Sequence, residues 1–266
     1  MTDLQATARI CRGPFNFAAG EMPPPADNWC FIAAGDRTGS NALARMLNLH
    51  PDCQILEEAG GLYALMVLFS SDYYAVAGPA GFVRCGCLSA RDVRHLCEAW
   101  REVRGGGAQI VGDKQLTFWA SREATRTVFP GCHIIVTVRH PLDALASTCA
   151  CPWAAHLAAY SPEQKWEYLQ HRCGEFVEAQ DDETVAVVRF EDMAQGEVRR
   201  GVLAELWKGL GLPVTDELLS AVGDVDFDAP AGTLGKWRED RFAAEVVEFA
   251  GTSAVAELLA SCGYEA

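Results

Sequence analysis

From Trp29 to Ala34 the chain reads WCFIAA without a polar break, and it then runs into the small, polar, glycine-bearing stretch GDRTGS. A short apolar run bounded by turn residues predicts a buried strand. From 40 to 49 the pattern changes: Leu43, Met46 and Leu47 recur at helical spacing in SNALARMLNL, and HPD stops the run. Strand, glycine turn and helix N-terminus therefore follow one another without a spacer. The alternation returns at 132–140, where CHIIVTVRH is continuous, β-branched and ends in charge, and PLDALAS follows with Pro141 suited to a first helical turn. A GGG at 105–107 precedes AQIVGDKQ, a further strand with Lys114 just past its end, and TVAVVRFED (184–192) predicts another. Residues 162–180 predict a long helix, 197–210 and 243–260 two more, and 59–105 is mixed and helical with a Gly/Ala/Cys-rich interruption near 78–88. Strands alternating with helices predict an α/β fold, a central and mainly parallel sheet flanked by helices on both faces.

Composition narrows the class. At 266 residues the chain suits one large domain, and with half of its residues hydrophobic it is not globally disordered. Residues 1–27, with the proline-rich GEMPPPADN, are expected to form a loosely ordered extension, and 28–266 a single domain. A net charge of −14 argues against nucleic acid or an anionic membrane as a general partner, so any anion site has to be local. The first residues lack the apolar core of a secretory signal, and no 18-residue apolar run follows. A cytoplasmic protein without a membrane anchor is expected; a homodimer is compatible with this. The eleven cysteines are odd in number and scattered, with C-x-C pairs but no C-x-x-C and no zinc spacing, so they read as reduced structural thiols and no metal site is expected.

The candidate chemistry lies where strands end. The amides that open a helix are unpaired and carry a partial positive charge, which suits phosphate. Gly39 allows close backbone approach, and Ser40 and Asn41 offer side-chain hydrogen bonds. The nucleotide-hydrolase pattern G-x-x-x-x-G-K-[ST] is not met, because Gly35 and Gly39 are one residue too close and no lysine follows the second. Arg37 sits inside the loop instead. Arg139 ends its strand, with Ser147 eight residues on; Lys114 follows another; and GTLGKWRED (232–240) is a glycine-rich basic loop in an acidic chain. Four such loops predict a ligand with more than one anionic group.

As a set, these pieces resemble the PAPS-dependent sulfotransferases, whose donor is 3′-phosphoadenosine 5′-phosphosulfate and whose nucleotide product is PAP. FIAAGDRTGSNALARMLNLHPD resembles the family's 5′-phosphosulfate loop and helix, VRHPLDALAS its 3′-phosphate motif, VVRFEDM with GLGLP a later strand and helix, and GTLGKWRED its C-terminal G-x-x-G-x-W-[RK] loop; CGY near the end is also similar. The resemblance spans roughly 29–264 and implies a P-loop-like sulfotransferase fold, with the acid loop closest to the tyrosylprotein and bacterial branch. It places Arg37, Thr38, Gly39, Ser40 and Asn41 on the 5′-phosphosulfate, Arg139 and Ser147 on the 3′-phosphate, and Gly235, Lys236, Trp237 and Arg238 in the loop closing over it. Trp237 is left equally open to a core role. Asn41 departs from the threonine often found there.

Sulfuryl transfer needs in-line positioning and charge stabilisation more than covalent chemistry by the protein. Arg37 and Lys114 are the cations for the leaving phosphate oxygen, without a metal. A hydroxyl acceptor needs a base. The resemblance to the tyrosylprotein and related branch, where a Glu after H-P-[DE] serves, implies LEEAG, with the register from Arg37 favouring Glu58 over Glu57. His50 is the alternative, its place before Pro51 favouring a capping or packing role. Asp113 is expected to orient Lys114 and His140 to be structural, while Glu191 and Asp192 are left equally open to being site acids or surface acids at a strand end. The stretch 59–105 shows no family pattern and is where acceptor-binding segments are expected. The acceptor favoured is a small hydroxylated metabolite or carbohydrate, with a peptide tyrosine as the alternative. The rival classes are a P-loop phosphotransferase using ATP and Mg²⁺, and a nucleotide-binding module without catalysis.

Overall fold

The computed structural model describes residues 26–58, 90–115, 119, 122–225 and 234–265. Its strands are β1 (Trp29–Ala34), β2 (Cys53–Glu57), β3 (Ile110–Gln115), β4 (His133–Val138) and β5 (Val185–Arg189). They form one five-stranded sheet of order β2-β3-β1-β4-β5, every neighbouring pair parallel. The apolar run at 29–34 is therefore the middle strand, buried along its whole length, which is why it shows no polar alternation. Parallel pairing needs crossovers, and the helices supply them.

Side chains of β1 alternate between two cores. Trp29, Phe31 and Ala33 face one layer, built with Val93 and Cys97 of α2 (Ala90–Arg104), Val128 of α3 (Arg122–Val128), Phe129, and Phe176 of α6 (Pro162–Gln180). Cys30 and Ile32 face the other, with Leu43, Met46 and Leu47 of α1 (Ser40–Leu47) and Leu203 and Trp207 of α8 (Gly196–Gly209). A third cluster joins α4 (Pro141–Cys149) and α6 to α10 (Arg241–Ala250) and α11 (Thr252–Ser261), through Leu145, Leu169, Phe242, Val246 and Leu259. Short helices α5 (Ala155–Ala158), α7 (Phe190–Ala194) and α9 (Asp216–Asp224), with 3₁₀ turns at Pro152–Ala154 and Lys236–Glu239, complete the described elements.

Several expectations shift. The strand expected over 184–192 stops at Arg189, and Phe190 opens α7; its edge position leaves it only partly buried. Lys114 lies inside β3 rather than past it. The helix expected over 243–260 is two helices, because Gly251 breaks it at φ 85°. The proline-rich N-terminal piece and the interruption near 78–88 fall outside the described residues. None of the described helices is long and apolar enough to cross a membrane. Burial pushes the Cys53 thiol up to about 12 and raises Cys30, which keeps both inert.

The first core depends on an aromatic stack in which Phe31 lies 5.9 Å from Trp29 and 4.9 Å from Phe129. Phe31→Ala is expected to lower the unfolding free energy by about 3–5 kcal/mol, read from a urea melt.

Candidate functional site

β1 lies where the chain's winding reverses, with β3 on one side and β4 on the other, the position in an open parallel sheet where ligands bind beyond the strand ends. To pass from Ala34 into α1 the backbone turns through two left-handed residues, Arg37 (φ 61°) and Gly39 (φ 81°). Gly39 is required twice over: by its φ, and because a Cβ there would press into the Phe190 ring. It is also the N-cap of α1 and lays no side chain over the first amides of that helix. Thr38 turns its hydroxyl inward, bonding the Gly35 carbonyl at 2.9 Å and Thr137 Oγ1 at 2.7 Å, so it braces the loop from β4. Ser40 is buried in the first turn and Asn41 exposed.

The loops after β1 and β4 meet at Arg37. Its Nε donates to Ser147 Oγ at 3.1 Å, and its carbonyl accepts from Arg139 Nη1 at 3.2 Å. Arg139 is buried, with its guanidinium 4.4 Å from the centre of the Phe190 ring. Burial lowers its pKa, the Asp143 and Glu191 carboxylates oppose this, and the nearby Arg37 lowers it further. It stays charged, since arginine starts above 12. The backbone of Arg37 is thus tied to the Arg139 guanidinium and its side chain to Ser147, at the end of the sheet.

A third arm comes from the 3₁₀ turn at Lys236–Glu239. Gly235 caps it at φ 70°, Asp143 accepts from the amides of Gly235 (2.8 Å) and Trp237 (2.9 Å), and Lys236 and Arg238 remain exposed. The Trp237 ring stacks on His140, centroids 5.4 Å apart and 10° from parallel, and packs against the third core. One face of the Trp237 ring is taken up by this stack, and burial lowers the pKa of His140.

On the other side of Arg37, Lys114 is 2 % exposed and its Nζ donates to Glu58 Oε1 at 2.6 Å. Asp113 accepts from the Lys114 amide and from Gln115 Nε2, which holds the end of β3 in place. Glu57 is taken by Arg45 at 3.0 Å, so the structure separates the neighbouring acids: Glu58 faces the buried lysine and Glu57 does not. Glu58 has φ 55°; among the described residues, it and Arg37 are the non-glycine residues with positive φ. Such conformations cost of order 1–3 kcal/mol and collect at functional sites.

His50, the alternative base, is elsewhere. It is 2 % exposed; its Nδ1 accepts from the Asp52 amide, so its Nε2 donates to the Pro213 carbonyl at 3.0 Å, and the ring packs on Trp207. Both nitrogens are used in joining the HPD loop to the segment after α8. Glu191 is not a loose surface acid: it accepts from the His140 amide at 2.8 Å and from the Tyr264 hydroxyl at 3.1 Å. Nothing in the local sequence around Asp143, Glu191, Tyr168 or Asp36 signals these long-range bonds. Tyr168 donates to Asp36 Oδ2 at 2.9 Å beside a cleft at the ends of β1 and β4, lined also by Ala33, Val136, Val138 and Arg172.

A protein-family model described as "Sulfotransferase family" matches residues 30–216. The chain belongs to the sulfotransferase family. The solved structures agree on the fold at low identity. A sulfotransferase from Alicyclobacillus acidocaldarius is 18 % identical with a TM-score of 0.50, covering 92 % of this chain and 98 % of that one. The sulfotransferase domain of the Synechococcus PCC 7002 olefin synthase is 16 % identical with a TM-score of 0.51, covering 96 % and 100 %. A sulfotransferase domain from the curacin biosynthetic pathway is 17 % identical with a TM-score of 0.52, covering 92 % and 99 %. A search of curated proteins gave no match. Apart from Trp29, the parallel sheet and the β1 turn fall inside the matched residues.

His50→Ala is expected to lower the unfolding free energy by about 2–4 kcal/mol, through two lost hydrogen bonds and lost packing, while leaving nucleotide affinity unchanged. Parallel urea melts and calorimetric titrations check this; weaker binding at unchanged stability would return His50 to the site.

Proposed function

We propose that this sulfotransferase moves a sulfuryl group from PAPS to a hydroxyl of a small acceptor, with Glu58 as general base. The observation that carries the reading is the double tie at Arg37, side chain to Ser147 and carbonyl to Arg139. It makes one surface of the residues that the resemblance assigns separately to the 5′ and 3′ ends of the donor. Arg37 and Arg139 on linked loops, with Lys236 and Arg238 exposed on the turn that Asp143 holds, suit a ligand with two anionic ends in a chain of net charge −14.

Each side chain then has a task. The uncapped amides of α1, with Ser40 and Asn41, receive the 5′-phosphosulfate, and Gly39 lets the backbone come close. Arg139 and Ser147 hold the 3′-phosphate, and the Lys236–Arg238 turn lies over it. As the bond between sulfur and the bridging oxygen breaks, Arg37 and Lys114 meet the charge gathering on the departing phosphate oxygen of PAP. The new bond forms from the acceptor oxygen to sulfur, and Glu58 takes the acceptor's proton. Lys114 occupies one oxygen of that carboxylate, which leaves the second for the proton and fixes its direction. Arginine and lysine here provide the charge that a lysine and a metal provide in nucleotide hydrolases.

The cleft beside Asp36 is concave and lies at the strand ends next to the β1 turn, a placement that suits a small metabolite or a sugar unit. A peptide tyrosine remains the second acceptor, and a cytoplasmic setting suits both the small acceptor and the reduced thiols.

Two experiments test the reading. 3′,5′-ADP should raise the melting temperature, with about 2.7 kcal/mol of stabilisation at a hundred times its Kd. Stabilisation by ATP with Mg²⁺ and none by 3′,5′-ADP would overturn the donor. With labelled PAPS and a panel of phenols, sugars and tyrosine peptides, Glu58→Gln should lower kcat about a hundredfold or more with KM for the donor unchanged. Full turnover in that variant would remove Glu58 as base.

A further inference from the structure

We infer that Asp143 is a positioning residue that fastens the Lys236–Arg238 turn over the Arg139–Ser147 end of the site, and thereby sets the preference for a nucleotide with a 3′-phosphate over one without. The inference rests on the donor reading above.

Asp143 lies in the first turn of α4, four residues from Arg139 and four from Ser147, and is 3 % exposed. A buried carboxylate is costly unless its oxygens are bonded. Here each oxygen has its own backbone amide, Oδ2 that of Gly235 and Oδ1 that of Trp237, so the carboxylate brackets Lys236 from both sides. On its far side the turn is tied to the next helix by Asp240, which accepts from the amides of Phe242 and Ala243. That anchor is local and fixes the turn only to its own helix. Asp143 reaches across 92 residues and fixes the turn to the motif that carries Arg139 and Ser147.

Charge makes the case sharper. A carboxylate this close to a phosphate site repels the phosphate, and Asp143 acts electrostatically on Arg139 as well. Two opposed effects follow from one side chain: direct repulsion of a 3′-phosphate, and placement of two further cations over it. Two amide donors draw charge from the carboxylate, whereas Lys236 and Arg238 stay exposed and able to face a ligand. Placement therefore outweighs repulsion. A residue that only supported the fold would treat nucleotides with and without the 3′-phosphate alike.

The test compares the Kd values of 3′,5′-ADP and 5′-AMP, by calorimetry, for the wild type, Asp143→Asn and Asp143→Ala. Asparagine keeps the shape and one acceptor oxygen, so it guards against a variant that does not fold. The wild type should bind 3′,5′-ADP more tightly than 5′-AMP. Asp143→Ala should lose about tenfold or more of that ratio with the affinity for 5′-AMP unchanged, and Asp143→Asn should fall between. In turnover, KM for PAPS should rise with kcat retained at saturating donor. The losses from Asp143→Asn and Arg238→Ala should be less than additive when combined, since one residue acts through the other. A ratio unchanged in both variants, an equal loss for both nucleotides, additive losses, or tighter binding of 3′,5′-ADP would overturn the inference while leaving the donor reading in place. A wild type that does not distinguish the two nucleotides would overturn the donor reading, and this inference with it.

Discussion

One backbone carbonyl organises the site. That of Arg37 accepts from the guanidinium of Arg139, and so joins the turn after β1 to the end of β4. The side chain of the same residue returns to Ser147, one strand-to-helix junction away, and closes the link. Two like charges are held together by this arrangement, with the Phe190 ring under one of them and the Asp143 and Glu191 carboxylates nearby. Such a pair relaxes when an anion arrives. Backbone strain at Arg37 and burial at Arg139 thus fall together at one point of an acidic molecule.

Acids around that point are managed one by one. Asp36 bonds Tyr168, Glu58 bonds Lys114, Asp143 bonds two amides, and Glu191 bonds an amide and a hydroxyl. None of these carboxylates is left to turn away an incoming anion unopposed. A net charge read from composition says nothing about this, because what a ligand meets is a local field set by a few fixed dipoles and cations.

Local signals were the ones the sequence carried clearly. The β1 run, the glycine turn, the period of α1 and the β4 run each declare themselves within a few residues, because strand burial, left-handed backbone and helix period are local constraints. With one parallel sheet assumed, Arg37, Arg139 and Ser147 follow onto one end of it. Lys114 was placed past its strand because a charged residue in a buried strand is rare; the Glu58 ion pair is what allows it, and that pair joins residues 56 positions apart. For His50 the position before Pro51 already favours a packing role, but its partners, the Asp52 amide and Pro213, are invisible in HPD. Glu191 and Asp143 looked unremarkable for the same reason. What escapes a reading of the chain is the identity of partners brought in by tertiary packing.

Strand order also governs when the site can come into being. On the ribosome the turn after β1 emerges before either of its flanks, since β1 pairs with residues 111–115 and 133–137. The amides that receive Asp143 emerge later still, with Gly235 and Trp237. A nascent chain halted before that point would carry the β1 turn without the Asp143 anchor, and long-range parallel pairing of this kind forms slowly.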